Sequence, residues 1–289
     1  MKVTVFTATY NRASLLGNLY KSLLAQTCMD FEWLIVNDGS TDNTESVVQT
    51  FMTENKIRIV YRNKPNGGKH TAINLGVTMA VGELFFIVDS DDYLAFNSIE
   101  RILYYYETIK NDEGFAGVCG LKVFEYGKPV GGGPDFGILD CNALDFRFKY
   151  RVKGDMAEVF RTTVLREFPF PEIPGERFCP EALVWNRIAQ KYRLRFFYEK
   201  IYVCDYLPDG LTAKITQLRM NSREASLIHY SELYKLKIPL LQKIKAAINF
   251  WRFSFCSDRA LPSLINQISL FSLVYYPLGF LLHINDKRK

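Results

Sequence analysis

Leu84-Phe85-Phe86-Ile87-Val88-Asp89-Ser90-Asp91-Asp92 is the segment from which the fold of this 289-residue chain can be read. Five apolar residues in a row are too few for a buried helix and show no alternation. They describe a strand covered on both faces, as in a parallel sheet flanked by helices. The strand stops abruptly in three acids. In such sheets ligands bind beyond the carboxyl ends of the strands, so the acids stand where chemistry is expected.

Three similar alternations precede this one. Residues 3–8 form an apolar run ending in Thr9-Tyr10-Asn11-Arg12; Leu15, Leu16, Leu19, Leu23 and Leu24 then recur at helical spacing, with Ser14 placed as an N-cap. Residues 31–36 form a second strand, closed by Asn37-Asp38-Gly39-Ser40. Ser40, Thr41 and Asp42 cap a helix carrying Val47, Val48 and Phe51. Residues 57–61 make a third strand, and Asn66-Gly67-Gly68 turns into a helix with Ala72, Ile73, Leu75 and Val77. Four strand–helix alternations predict an α/β fold, a central and mostly parallel sheet with right-handed crossovers. Four polar loops, residues 7–12, 37–40, 66–69 and 89–92, then converge on one sheet edge.

Three neighbouring carboxylates repel one another, and an extended backbone sends Asp89 and Asp91 to the same side. A divalent cation is the usual compensation; Mn2+ or Mg2+ takes oxygen ligands and shares them with substrate phosphates. The alternative is an acidic cap on the following helix. Asp38 reads either as a turn residue or as an acceptor for a base or sugar. Lys69, at a helix start, either faces a diphosphate or is a solvated lysine. Gly67-Gly68-Lys69 is too short for a P-loop, and no GxGxxG occurs.

Together, Phe6-Thr7-Ala8-Thr9-Tyr10-Asn11-Arg12, Val36-Asn37-Asp38-Gly39-Ser40-Thr41-Asp42, Asn66-Gly67-Gly68-Lys69 with Ala72 and Asn74, and Asp89-Ser90-Asp91-Asp92 resemble the family 2 glycosyltransferases of the GT-A fold. The resemblance is close over residues 1–110 and looser to about 210. It implies a metal-dependent, inverting transfer of a sugar from a nucleotide diphosphate sugar, usually UDP-linked, to an acceptor hydroxyl. Thr7 and Asp38 would contact the base, with Lys69 beside the base or phosphates. Asp89 would touch the ribose, and Asp91 would hold the metal. Thr9, Asn11, Arg12 and Ser90 complete the implied donor site. Residues 178–187 are similar to the acceptor side of bacterial polysaccharide enzymes in this family, and a lipid-linked glycan is the acceptor expected if the C-terminal tail lies at a membrane. Where many relatives carry Glu-Asp, this chain has Pro180-Glu181-Ala182, so Glu181 is the candidate base, with Asp155 and Glu176 as substitutes. A first-turn helix acid is the alternative for Glu181. The Gln-x-x-Arg-Trp motif of processive members is absent, which favours addition of a single sugar.

Residues 110–210 read less regularly: extended at 117–126, 154–164 and 196–206, helical at 181–191, with a Gly131-Gly132-Gly133-Pro134 loop. After Pro208-Asp209-Gly210 the pattern is helical. The expected organisation is a catalytic domain over 1–212, split at 110 into donor and acceptor halves, and a helical region over 213–289. Net charge is +5, but residues 235–289 carry nine Lys/Arg against Asp258 and Asp286, leaving the remainder at about −2. A nucleic-acid-binding core is thereby excluded, and an anionic membrane surface suits the tail better. Residues 261–284 contain no Asp, Glu, Lys or Arg. They are long enough to cross a bilayer, yet cations flank both ends and polar residues interrupt them. An interfacial helix fits best, with packing on the catalytic domain and a true span as alternatives. Six scattered cysteines and three histidines show neither a zinc spacing nor a disulfide framework. With no signal sequence ahead of the first strand, the expected location is the cytoplasm, at the inner face of the membrane. Two other functions compete: a nucleotidyltransferase, which would carry a Gly-rich basic loop after the first strand, and a non-catalytic nucleotide-sugar-binding or membrane assembly factor.

Overall fold

The computed structural model describes residues 1–204 and 214–288. It divides into two compact units, Met1–Pro169 with Arg187–Tyr206, and Phe170–Asn186 with Leu207–Lys289. The first unit is built on a nine-stranded sheet in the order β3-β2-β1-β4-β8-β6-β9-β5, with β7 also paired to β9. The strands are β1 (Val3–Thr9), β2 (Phe31–Asn37), β3 (Ile59–Asn63), β4 (Leu84–Ile87), β5 (Tyr93–Leu94), β6 (Phe115–Val123), β7 (Ile138–Cys141), β8 (Met156–Arg161) and β9 (Arg193–Val203). Strands β1 to β4 are mutually parallel, as the alternation requires; beyond β4 the sheet is mixed, with β8 antiparallel to both β4 and β6.

Helices α1 (Leu16–Leu24), α2 (Thr44–Glu54), α3 (Lys69–Met79) and α4 (Ser98–Glu107) follow the parallel strands; α5 (Ala143–Phe148) and α6 (Thr162–Glu167) flank β8. One sheet face buries Val3, Val5, Trp33 and Phe86 with Leu16, Leu19, Ile99 and Ile102. On the other face Phe6 stacks on Phe85 with ring centroids 5.0 Å apart. There α3 approaches so closely that a Cβ on Gly76 would lie 2.2 Å from the Phe6 ring, which only glycine permits.

Several boundaries differ from the sequence reading: the strands expected over 117–126 and 196–206 are Phe115–Val123 and Arg193–Val203, and the cap position of α2 is Asn43. Ser14 does not cap α1. The cap position is Leu15, and the entry is a backbone turn in which the Arg12 carbonyl accepts from the N–H groups of Leu15 and Leu16. The third strand begins at Ile59, two residues later than its apolar pattern suggests. The extension expected over 154–164 ends at Arg161, whose guanidinium donates to the carbonyls of Ile109, Lys110 and Asp112. Thr162 then donates to the Gly82 carbonyl and opens α6. The Pro208-Asp209-Gly210 turn lies outside the described residues.

The second unit contains α8 (Ile215–Asn221), α9 (Arg223–Lys235), α10 (Leu240–Ser254), α11 (Leu261–Ile268), a 3-10 turn over Leu270–Tyr275 and α12 (Tyr276–Lys287). Its core gathers Leu227, Tyr230, Ala247, Phe250, Trp251, Leu264 and Ile268. It also takes in Phe170–Asn186, which the sequence reading placed in the acceptor half. The Glu176 carboxylate explains this: it accepts from the amides of Glu224 and Ala225, capping α9, while the Phe178 N–H donates to Ser222 Oγ. Helix α7 (Glu181–Ala189) runs from this segment back into the first unit.

Candidate active site

Because β1, β2 and β4 are adjacent and parallel, their carboxyl ends share one edge. Thr9 stands in register with Asn37, and the Val88 N–H extends the ladder by donating to the Phe6 carbonyl. The loops leaving β1 and β2 are stitched together by Asn11. Its N–H donates to Ser40 Oγ (2.9 Å) and its Oδ1 accepts from the Thr41 N–H (2.8 Å). Asn11 holds a left-handed φ of 53°, which asparagine tolerates better than most residues. Asp42 adds a second stitch by accepting from the Ala13 N–H (3.0 Å). The structure thus gives Asn11, predicted as a donor-site residue, a role in shaping that site.

Asp38 is buried at the end of β2, and its carboxylate is engaged on every side. It accepts from Lys64 Nζ (2.7 Å) and from the backbone amides of Gly67 (2.9 Å) and Gly68 (2.7 Å). Lys64 also donates to Thr71 Oγ1 (2.8 Å) and to the Pro65 carbonyl (2.7 Å). With φ at 93°, Gly68 completes the turn that delivers Lys69 as the first residue of α3. Asp38 was expected to reach a base; here its oxygens hold the loop that positions Lys69.

Lys69 Nζ lies 2.5 Å from Asp89 Oδ1. Burial pushes the Asp89 carboxyl up, but Lys69 and then Lys122 outweigh it and hold it below the ordinary range. Asp92, two positions after Asp91's predecessor Ser90, is buried and accepts from the Tyr202 hydroxyl (2.7 Å), which in turn accepts from the Asp89 N–H (2.9 Å). Burial first, and Asp89 second, push the Asp92 carboxyl up to about 7. Asp91 is half-buried; burial and then Asp89 raise its carboxyl, with Arg12 and Lys69 acting in the opposite sense. Ser90 is buried between them.

The three acids are therefore not three equivalent metal ligands. Among the described residues no group of three His, Cys, Asp or Glu side chains is placed to hold a metal ion unaided. Asp89 is paired with Lys69 and Asp92 is engaged by the Tyr202 hydroxyl, whereas Asp91 is half-buried with Arg12 and Lys69 acting on it through charge. One carboxylate plus substrate phosphates is a common ligand set for Mg2+, so the residues fit an ion that enters with a diphosphate.

The remaining sequence candidates separate clearly. Thr9 is 2% exposed, and among the described residues its hydroxyl has no hydrogen-bond partner, a buried polar group at the edge where a ligand is expected. Thr7 is fully buried and accepts from Trp33 Nε1 (3.0 Å), so it offers no accessible surface to a base. Glu181 opens α7 and belongs to the second unit. Asp155 is exposed in the first unit. Glu176 has both oxygens engaged in capping α9 and is removed as a substitute base. Sequence reasoning missed Lys64, Lys122 and Tyr202. None lies in a motif, and Tyr202 meets Asp92 across 110 residues.

Residues 4–132 match the model of the family described as "Glycosyl transferase family 2". Similar sequences include the glycosyltransferase GlyG of Streptococcus pneumoniae, 36% identical over 101 residues, 35% of this chain and 33% of that relative. A GalNAc(5)-diNAcBac-PP-undecaprenol beta-1,3-glucosyltransferase of Campylobacter jejuni is 29% identical over 206 residues, 68% of this chain and 62% of that relative. The chain thus spans about a third of GlyG and less than two thirds of the Campylobacter protein. Among solved structures, S. aureus TarS residues 1–349 in complex with UDP-GlcNAc superposes with a TM-score of 0.65 at 19% identity, covering 96% of this chain and 79% of that one. The mannosyltransferase PcManGT of Pyrobaculum calidifontis, solved with GDP-Man and Mn2+, gives 0.60 at 18% identity, over 99% and 88% of the two chains. The fold is that of the GT-A glycosyltransferases.

Proposed function

We propose that the protein transfers a single sugar, with inversion, from a UDP-linked donor to a hydroxyl of a lipid-linked glycan during surface polysaccharide assembly. The observation that carries this reading is the juxtaposition of the Lys69–Asp89 ion pair with Asp91, whose carboxyl is raised by burial and by Asp89. Lys69 and the first amides of α3 favour the anionic diphosphate. Asp91 would hold Mn2+ or Mg2+ together with that diphosphate; the ion supplies Lewis-acid stabilisation of the leaving group. Thr9, Arg12 and Ser90 are the further residues proposed to line the donor site. Glu181 is the proposed base for the acceptor proton. The relatives lend support by name: TarS was solved with UDP-GlcNAc, PcManGT with GDP-Man and Mn2+, and the Campylobacter relative is named for an undecaprenol-linked glycan.

The test is a panel of nucleotide sugars with Mn2+, read by release of nucleoside diphosphate. Asp91→Asn should melt like the wild type yet lose most turnover, because a carboxamide is a weak, uncharged ligand for a hard cation. Glu181→Gln should keep donor binding and slow transfer by about 10²–10⁴-fold. Wild-type turnover in Asp91→Asn, or full activity in excess EDTA, removes the metal from the reaction. Release of pyrophosphate from a nucleoside triphosphate mixed with a sugar 1-phosphate, with no nucleoside diphosphate released from any nucleotide sugar, would instead establish a nucleotidyltransferase.

A further inference from the structure

The 3-10 turn over Leu270–Tyr275 and helix α12 have two apolar sides. The inner side is occupied: Ser272, Gly279 and His283 are buried, Trp251 Nε1 donates to the Ser272 carbonyl (2.8 Å), and a Cβ on Gly279 would lie 2.6 Å from Trp251 Cβ. The outer side faces solvent. Leu270 is 63% exposed, Phe271 85%, Val274 72%, Leu278 46% and Leu281 62%. These positions recur at helical spacing and form one stripe, where a helix packed on a soluble core would carry polar residues. A cluster of large exposed apolar side chains of this kind marks an interaction surface.

Charge identifies the occupant. The acids of this region are taken: Asp286 pairs with Arg252 (2.5 Å), Asp258 with Arg223 (3.4 Å) and Glu224 with Arg259 (3.3 Å). Lys235, Lys237, Lys243, Lys245, Lys287 and Arg288 form no ion pair among the described residues. A second copy seated on this face would bring the same excess of cations against itself. Anionic headgroups would neutralise it, each nearby cation adding attraction. No single described helix is long and apolar enough to cross a bilayer, and the pair Leu261–Ile268 and Leu270–Lys287 is bent by 112°.

We propose that the face formed by Leu270, Phe271, Val274, Leu278 and Leu281 docks on an anionic lipid surface, lying in the interface and inserting its side chains to the acyl boundary. This goes beyond the sugar-transfer reading and does not depend on it.

The experiment is flotation of the full-length protein with vesicles of phosphatidylglycerol and phosphatidylethanolamine, against vesicles of phosphatidylcholine alone. Binding should favour the anionic vesicles and weaken between about 50 and about 500 mM salt without vanishing, because screening acts on charge and not on apolar insertion. Phe271→Ser combined with Val274→Ser, at exposed positions, should leave the melting temperature and nucleotide affinity unchanged and weaken vesicle binding at least about tenfold. Lys287→Glu with Arg288→Glu should weaken binding at low salt and match the wild type at high salt. The proposal is overturned if the wild type ignores anionic vesicles at low salt, or if the Phe271/Val274 variant binds like the wild type. It is also overturned if the wild type self-associates without lipid and that variant dissociates it, since the face then belongs to a second copy. Nucleotide affinity, measured in the same samples, separates these failures from failure of the donor site.

Discussion

Replacing Asp38 by asparagine tests the claim that this residue builds the donor site from beneath. The carboxylate accepts from Lys64, Gly67 and Gly68 while 4% exposed. Asparagine keeps the shape but presents one NH2 to a ring of donors, so at least one buried N–H loses its acceptor, at about 1–3 kcal/mol. Breaking a buried ion pair costs about 3–5 kcal/mol. The lower end applies here, because the Lys64 side chain is 17% exposed and keeps Pro65 and Thr71 as partners. The two losses overlap, and a total of about 2–4 kcal/mol follows, or about 5–15 °C in the melting of a unit this size. The local signature is faster amide exchange at Gly67 and Gly68, accompanied by weaker UDP binding as Lys69 loses its fixed position. In the cycle with Lys64→Met, the double variant should cost at least about 1 kcal/mol less than the sum of the singles. A melting temperature within about 2 °C of wild type, together with unchanged Gly67 and Gly68 exchange, would refute the reasoning.

Tyr202→Phe should destabilise by about 1–3 kcal/mol, since it strands the Asp89 N–H and one oxygen of Asp92 in a buried setting; a melting curve that overlays the wild type would reject the bridge. Burial, and then Arg219, lower the His229 pKa to about 3, against 6.5 for the free side chain. The unfolded chain therefore takes up the proton first on acidification, so the second unit loses stability as pH falls from about 6.5 towards 3. His229→Leu should resist acid unfolding in that window; superimposable acid-unfolding profiles would show that another group controls it. Calorimetric titration should find Mn2+ binding weak alone and strengthened by UDP, with UDP strengthened equally by Mn2+. Strong binding of Mn2+ to the nucleotide-free protein would point to a ligand set beyond Asp91.

The parallel half of the sheet was legible because each of its strands is followed by a helix with its own periodicity, so topology came from order alone. Helix α3 was read correctly because Asn66-Gly67-Gly68 is turn chemistry with few alternatives. The mixed half was not legible: β8 and β9 pair with strands far away in sequence, and no local pattern encodes those partners. The same limit governs the site. Sequence could place Asp38, Lys69 and Asp89 on one edge, but it could not show that Lys64 reaches back to Asp38 or that Tyr202 closes on Asp92. Thr7 shows a different failure. Position on a strand end is visible in sequence, whereas the hydrogen bond that Thr7 accepts from Trp33 in the neighbouring strand is not.

That unseen chemistry changes what the acidic cluster means. Read as a string, Asp89-Ser90-Asp91-Asp92 is three negative charges in need of a cation. In the fold, Lys69 and Lys122 act on Asp89, Lys122 acts on Asp92, and Arg12 and Lys69 act on Asp91. Among the described residues three acids are set against three bases, and the Asp92 carboxyl is pushed up to about 7. Such a site has little field of its own with which to capture a free divalent ion. It is equally unable to absorb the negative charge of a nucleoside diphosphate without help. A nucleotide and a divalent ion arriving together leave the balance nearly undisturbed, whereas either one alone upsets it. Lys69 and Arg12, which the sequence placed at this edge, and Lys122, which it did not reveal, are therefore what would make metal and donor bind as a pair.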